Sequence, residues 1–207
     1  MSRTAQTARS ERTREALRQA AVVRFLAQGV EDTSAEQIAA DAGVSLRTFY
    51  RHFTSKHDLL FADYDAGLHW FRAALDARPA DEPIIDSVRA AIFSFPYDVD
   101  AVTKIASLRE GELDPSRIVR HIREVQADFG DAVQAQLRRR SCAAESRGQS
   151  PDARLRIAVT ARCIAAAVFG AMEVWMLGED RSLGELARVC HAALESLRAG
   201  ITGAGVP

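Results

Sequence analysis

Between Thr33 and Leu60 the chain runs TSAEQIAADAGVSLRTFYRHFTSKHDLL, and three helix-start signals crowd into these 28 residues. Ser34 followed by Gln37 is a capping box, in which each side chain satisfies the other residue's backbone N–H, and Thr33 with Glu36 offers the same arrangement one residue earlier. Either opens a helix running to about Ala42, with Ile38 and Ala42 on one apolar face. Gly43 supplies the left-handed backbone that stops a helix and turns the chain sharply. Ser45 then caps a helix over Leu46–Phe53, and Ser55 with Asp58 repeats the box for a third. A segment punctuated in this way folds as short helices joined by tight turns.

A helix pair with a glycine turn is common in all-helical bundles, so the turn alone does not define a function. The second helix is more telling. Leu46 and Phe49 point inward on a helical wheel, which leaves Arg47, Thr48, Tyr50, Arg51 and His52 for the outer surface. A structural helix does not need two arginines, a tyrosine and a histidine around one short cylinder, whereas a helix entering the major groove of DNA does.

The run Ala39-Ala40-Asp41-Ala42-Gly43-Val44-Ser45, then Thr48-Phe49-Tyr50-Arg51-His52-Phe53, then Ser55-Lys56 and Leu59-Leu60, resembles the DNA-binding domain of the TetR family of bacterial transcriptional regulators. Leu17, Ala20, Ala21, Phe25 and the terminating Gly29 fit the helix that precedes it. Arg24 departs from the resembling pattern, which has an aliphatic residue there, and implies a rotated or partly exposed helix face. The resemblance covers the first quarter of the chain. It implies an all-α protein of about nine helices, with an N-terminal helix-turn-helix domain over residues 1–57 and a C-terminal effector-binding and dimerisation domain over 58–207.

The 207 residues are 47% hydrophobic, enough for one small domain and one larger one. No alternating β-branched run reads as a strand. No apolar stretch reads as long and uncharged enough to span a bilayer, because Ala165–Leu177 contains Glu173. The N-terminus lacks a secretory apolar core, and Cys142, Cys163 and Cys190 are too scattered for a disulfide framework or zinc site. These features point to a cytoplasmic protein without cofactor or bound metal. The five histidines show no HxxxH or HExxH spacing, and no GxSxG or phosphate-binding glycine loop occurs, so an enzyme is not expected.

The net charge is −1, but it is unevenly spread. Residues 1–57 carry nine basic against six acidic side chains, and the remainder carries 18 against 22. The basic surplus orients the front of the molecule toward phosphates. Ser45, Leu46, Arg47 and Thr48 open the recognition helix, where Arg47 suits a bidentate pairing with a guanine edge and the Thr48 methyl suits a thymine. The resemblance implies that Tyr50 and His52 contact phosphate. Arg51 shares the outer face, and Lys56, near the start of the next helix, together with Thr33 and Ser34 at the earlier one, completes the expected DNA-binding set. Residues 1–10 lack apolar periodicity and read as a disordered arm that offers Arg3 or Arg9 to the minor groove.

Beyond Leu60 the third helix is expected to continue to Arg78, with Pro79 as its stop and the whole as a lever between domains. Pro83 at a first helical position opens a segment to about Ser94, closed by Phe95-Pro96-Tyr97; Asp98 opens another to Glu110, closed by Gly111; Asp114-Pro115 and Ser150-Pro151 open two long ones; and Ser182 with Glu185 opens the last. Ala165, Ala166, Ala167, Gly170 and Ala171 form a small-residue surface, faced by a stripe of Leu183, Leu186, Val189, Cys190, Ala193, Leu194 and Leu197. The resemblance makes these last two helices the homodimer interface; use of the same stripe inside one chain is the alternative. A dimer also answers a physical need, since one short helix reads few bases and two copies about 34–36 Å apart reach a palindromic operator.

An effector pocket follows from the resemblance alone. Its candidates are Trp70, Phe71, Phe93, Phe95, Tyr97, Phe129 and Phe169, with the polar Arg109 and Glu173. The expected function is a sequence-specific DNA-binding regulator, a repressor released from operator DNA by a small hydrophobic ligand. The alternative is a ligand-independent or activating DNA-binding protein of the same fold.

Overall fold

The computed structural model describes residues 3–96, 99–144 and 150–200. They form nine α-helices: α1 (Arg3–Gln28), α2 (Ala35–Asp41), α3 (Leu46–His52), α4 (Ala62–Asp76), α5 (Ile84–Phe93), α6 (Val99–Glu112), α7 (Pro115–Ala144), α8 (Pro151–Leu177) and α9 (Leu183–Ala199). A single 3-10 segment, Lys56–Phe61, joins the α3 region to α4, and no strand occurs among the described residues. The protein is all-α, as its helical punctuation requires.

Two compact units divide the chain, one over residues 1–66 and 97–121, the other over 67–96 and 122–207. In the first, Leu17, Ala21 and Phe25 recur every fourth residue of α1 and are fully buried. They meet Ile38 of α2, Phe49 of α3 and Leu59 and Leu60 of the 3-10 segment. Ile105 of α6 and Leu113 just after it join the same core, so this unit extends past the helices that the N-terminal motif supplies. Gly29, at φ 84°, ends α1 and donates its N–H to the Phe25 carbonyl at 3.0 Å.

Three sequence expectations change here. The arm read as disordered is helical from Arg3 onward. Arg, Ala and Gln in this stretch favour helix, and extending a helix already nucleated by a buried stripe costs little. Gly111 lies inside α6, which runs on to Glu112 because the next residue, Leu113, is buried and donates its N–H to the Arg109 carbonyl at 3.0 Å. Pro83 is the N-cap of α5, and Ile84 is the first helical residue. The stop expected at Tyr97 lies outside the described residues.

In the second unit Phe71, Leu75, Val88, Phe129, Val133, Ala161, Ile164, Val168 and Leu194 pack together. Ser150 caps α8 and Ser182 caps α9, each hydroxyl accepting a backbone N–H at 3.2 Å, from Ala153 and Glu185. The Trp175 indole N–H closes the turn between these helices on the Ser182 carbonyl at 3.0 Å. Ala165 and Ala171 are buried, while Ala166 and Gly170 are exposed. Residues 100° apart on a helix cannot share one face, so the small-residue run serves two surfaces rather than one. By length and composition α8 is also apolar enough to cross a bilayer, contrary to the sequence reading, which let single charges disqualify the segment. One such helix is weak evidence for a membrane span, and Ile157, Ala161, Ile164, Val168 and Trp175 give it a buried face.

Candidate nucleic-acid interface

The α2–turn–α3 element is built by local bonds. The Ser34 hydroxyl accepts the Gln37 N–H at 3.2 Å, and the Gln37 side chain accepts the Ser34 N–H at 2.9 Å, completing the box at the start of α2. Ala42 and Gly43 return their N–H groups to Ile38 and Ala40, and Gly43 turns the chain at φ 67°. Ser45 caps α3 by accepting the Thr48 N–H at 3.2 Å, and its hydroxyl also lies 3.0 Å from that of Thr48. Phe49 is fully buried and Phe53 nearly so, which fixes the rotation of α3 about its axis. Leu46 packs at the edge of the same core.

That rotation leaves Arg47, Tyr50 and Arg51 exposed, with Tyr50 at 55% and its ring set edge-on to Phe49 at 5.2 Å. His52 is half-buried; burial, and then the positive charges of Arg51 and Arg14, hold its imidazole below its ordinary range. Ser34 and Ser45 are exposed and occupied as caps.

Two expected contacts are directed elsewhere. Thr33 is buried, and its hydroxyl donates to the Gly29 carbonyl at 2.7 Å, so it ties the end of α1 to the start of α2. Lys56 spends two donors on the carbonyls of Val30 and Glu31, at 2.7 and 3.1 Å. Those carbonyls belong to the turn that leaves α1, where a cation replaces the hydrogen bonds a helix would have made. Arg47, Tyr50 and Arg51 thus remain as the exposed basic and aromatic groups of α3.

Charge pairs that sequence spacing did not reveal hold this unit. Arg24, the departure from the resembling pattern, makes a two-pronged bond to Asp41 at 2.5 and 3.0 Å and so joins α1 to α2. The bond to Arg24 draws the Asp41 carboxyl below its usual range. Arg18 reaches Asp65 at 2.8 Å, and Arg117 reaches Asp58 at 2.6 Å. The Asp58 carboxylate also accepts the N–H groups of Thr54 and Ser55, which is the half of the expected third box that forms.

The pocket candidates do not form one group. Phe71 and Phe129 stack at 4.0 Å, Phe169 meets Phe129 edge-on at 5.8 Å, and Phe93 packs on this core of the second unit. Trp70 meets Phe95 at 5.8 Å and donates to the Ser94 hydroxyl at 2.9 Å. Glu173 is exposed on α8. Arg109 belongs to the first unit, where it is buried, donates to the Leu60 carbonyl at 2.8 Å and pairs with Asp63 at 2.5 Å. Tyr97 lies outside the described residues.

A capped helix, a left-handed glycine turn and a second capped helix with an outward arginine-tyrosine-arginine face define a helix-turn-helix DNA-binding protein. Residues 17–62 match the family model for bacterial regulatory proteins of the tetR family. The chain is 32% identical over 200 residues to the HTH-type transcriptional regulator TcmR of Streptomyces glaucescens, covering 90% of this chain and 83% of that protein. Its fold is similar to that of SmeT, the repressor of the Stenotrophomonas maltophilia multidrug efflux pump SmeDEF, at TM-score 0.53 and 24% identity over 90% of this chain and 89% of that one. A SmeT–triclosan complex matches at TM-score 0.52 with the same identity, covering 90% of each chain. The protein belongs to the tetR family and is a DNA-binding transcriptional regulator rather than an enzyme.

Proposed function

We propose that the protein is a cytoplasmic repressor that binds a palindromic operator as a homodimer and leaves it when a small hydrophobic effector binds. The observation that carries this reading is a helix anchored by the fully buried Phe49 that turns Arg47, Tyr50 and Arg51 to solvent. Residues 1–57 read DNA, and residues 58–207 bind the effector and pair the subunits. Leu155, Val159, Val174 and Leu177 support the pairing: all four are exposed on α8, with the exposed Ala166 and Gly170 between them, where close helix approach is possible. The stacked Phe71 and Phe129, with Phe169 edge-on to Phe129, supply the apolar surface an effector would part. SmeT has been captured in complex with triclosan, which supports a small-molecule effector here.

Arg47 reads a base, and Tyr50, Arg51 and His52 address phosphates. Binding-site selection from random duplexes, followed by affinity measurements at fixed salt, tests this. Arg47→Ala should relax discrimination at one base position per half-site by about 1–3 kcal/mol, whereas Tyr50→Phe should weaken all sequences alike. Unchanged affinity and selectivity in both variants would remove α3 from the interface.

A further inference from the structure

Glu31, in the turn after α1, His57, in the 3-10 segment, and Glu112, at the end of α6, each bring one ligand atom to within 4.8 Å of the others. They come from three distant parts of the sequence but from one compact unit. Among the described residues, none of the three side chains has a hydrogen-bond or ion-pair partner. Two carboxylates brought this close to an imidazole attract a cation. The neighbouring Lys56 does not serve, since its ammonium bonds the carbonyls of Val30 and Glu31.

The backbone at each position is fixed. Val30 beside Glu31 and Leu113 beside Glu112 are core residues, and His57 precedes Asp58, whose carboxylate gathers the Thr54 and Ser55 N–H groups. The three side chains meanwhile reach toward solvent, with Glu31 exposed and the other two half-buried. One imidazole and two carboxylates suit a borderline divalent ion, and three protein ligands leave a position for water. Calcium and magnesium favour all-oxygen sets. Metal–ligand bonds of about 2.0–2.2 Å put ligand atoms about 3.4 Å apart in a tetrahedron, so the side chains need close by only about 1.5 Å.

We infer that Glu31, His57 and Glu112 form a binding site for a divalent first-row transition cation, which clips the end of α6 to the segments flanking the DNA-reading helices. This inference stands apart from the operator reading, because its test requires no DNA.

The full chain, freed of any affinity tag and stripped with EDTA, is titrated with zinc chloride by calorimetry, with magnesium chloride as the control. One zinc ion per chain is expected, and no magnesium binding at the same concentrations. His57→Ala, Glu112→Gln and the surface variant Glu31→Gln should each weaken zinc binding by roughly tenfold or more. Their helical circular dichroism and their melting in EDTA should stay at the wild-type values. Cys163→Ser should leave zinc binding intact, which separates this site from adventitious thiol capture. Absence of saturable zinc binding, or wild-type affinity in the folded ligand variants, overturns the inference.

Discussion

Arg109 is 3% exposed, and replacing it with methionine isolates the electrostatic part of its role, because the unbranched side chain fills much of the same space. Its guanidinium donates to the Leu60 carbonyl and the Asp63 carboxylate, and lies 4.7 Å from the Tyr64 ring centre and 5.4 Å from that of Phe61. Arg109→Met strands the carbonyl and the carboxylate. Removing one partner of a buried pair costs about 3–5 kcal/mol. For a chain of this length that corresponds to a melting temperature lower by about 6–20 °C. The loss should depend on pH with a definite sign. Burial already lifts the Asp63 carboxyl above its usual range against the pull of Arg109, and without the guanidinium it rises further. A group whose folded pKa is raised keeps its stability below its unfolded pKa and loses it as pH rises through the folded one. The variant should therefore be closest to wild type near pH 4 and furthest from it near pH 8. Urea unfolding followed by far-ultraviolet circular dichroism at several pH values measures this. The double variant Asp63→Leu/Arg109→Met should recover most of the loss, since an apolar pair is often no worse than a buried ion pair. A single variant within about 1 kcal/mol of wild type at pH 8, or a double variant no better than the single, would refute the reasoning.

Gly43→Ala should cost about 1–2 kcal/mol in urea unfolding, entirely from the left-handed backbone at φ 67°, because a Cβ there would meet open space. Wild-type stability in that variant would show that the turn relaxes without penalty. Glu82 accepts bonds from Arg78 and Ser87, which hold its carboxyl at about 2; its contribution is present above the usual carboxylate range and is lost as pH falls toward that value. Acid melting curves of Glu82→Gln should accordingly be flatter between pH 4.5 and 2 than those of wild type, and parallel curves would remove the role.

What the sequence makes legible is what short-range chemistry decides. The Ser34–Gln37 box, the Gly43 turn and the Ser45 cap each depend on residues three or four positions apart, and all three formed. Phe49 inward and Tyr50 outward follow from helical period alone. Partners distant in sequence are not legible in this way. Nothing near Lys56 announces the carbonyls of Val30 and Glu31, and nothing near Arg109 separates an ion pair with Asp63 from a ligand contact. Thr33 looked available because it sits beside a cap, yet its hydroxyl turns back to Gly29. α6 illustrates the same limit: periodicity marks its apolar face but not the core that receives it, which is the core around α1 and the 3-10 segment.

The same commitments bear on how salt acts at the operator. Of the nine basic residues in 1–57, Arg18 pairs with Asp65, Arg24 with Asp41, Lys56 with two carbonyls, and Arg14 lies 5.4 Å from the Phe53 ring centre. Arg9, Arg47 and Arg51 are exposed and have no acidic partner among the described residues. With Arg47 on a base, as proposed above, Arg9 and Arg51 would be the arginines of this exposed set left for phosphates in each subunit. A dimer then neutralises about four phosphates, and the logarithm of affinity should fall against the logarithm of salt with a slope of about −3.6. Were every basic residue of the front segment engaged, the slope would approach about −16. Operator titrations between 50 and 300 mM salt separate the two, because the internal pairs cannot hold the helices together and face phosphate at once. A slope steeper than about −8 would mean that DNA draws the arginines of α1 out of their pairs, and that the unit carrying α3 reorganises when it binds.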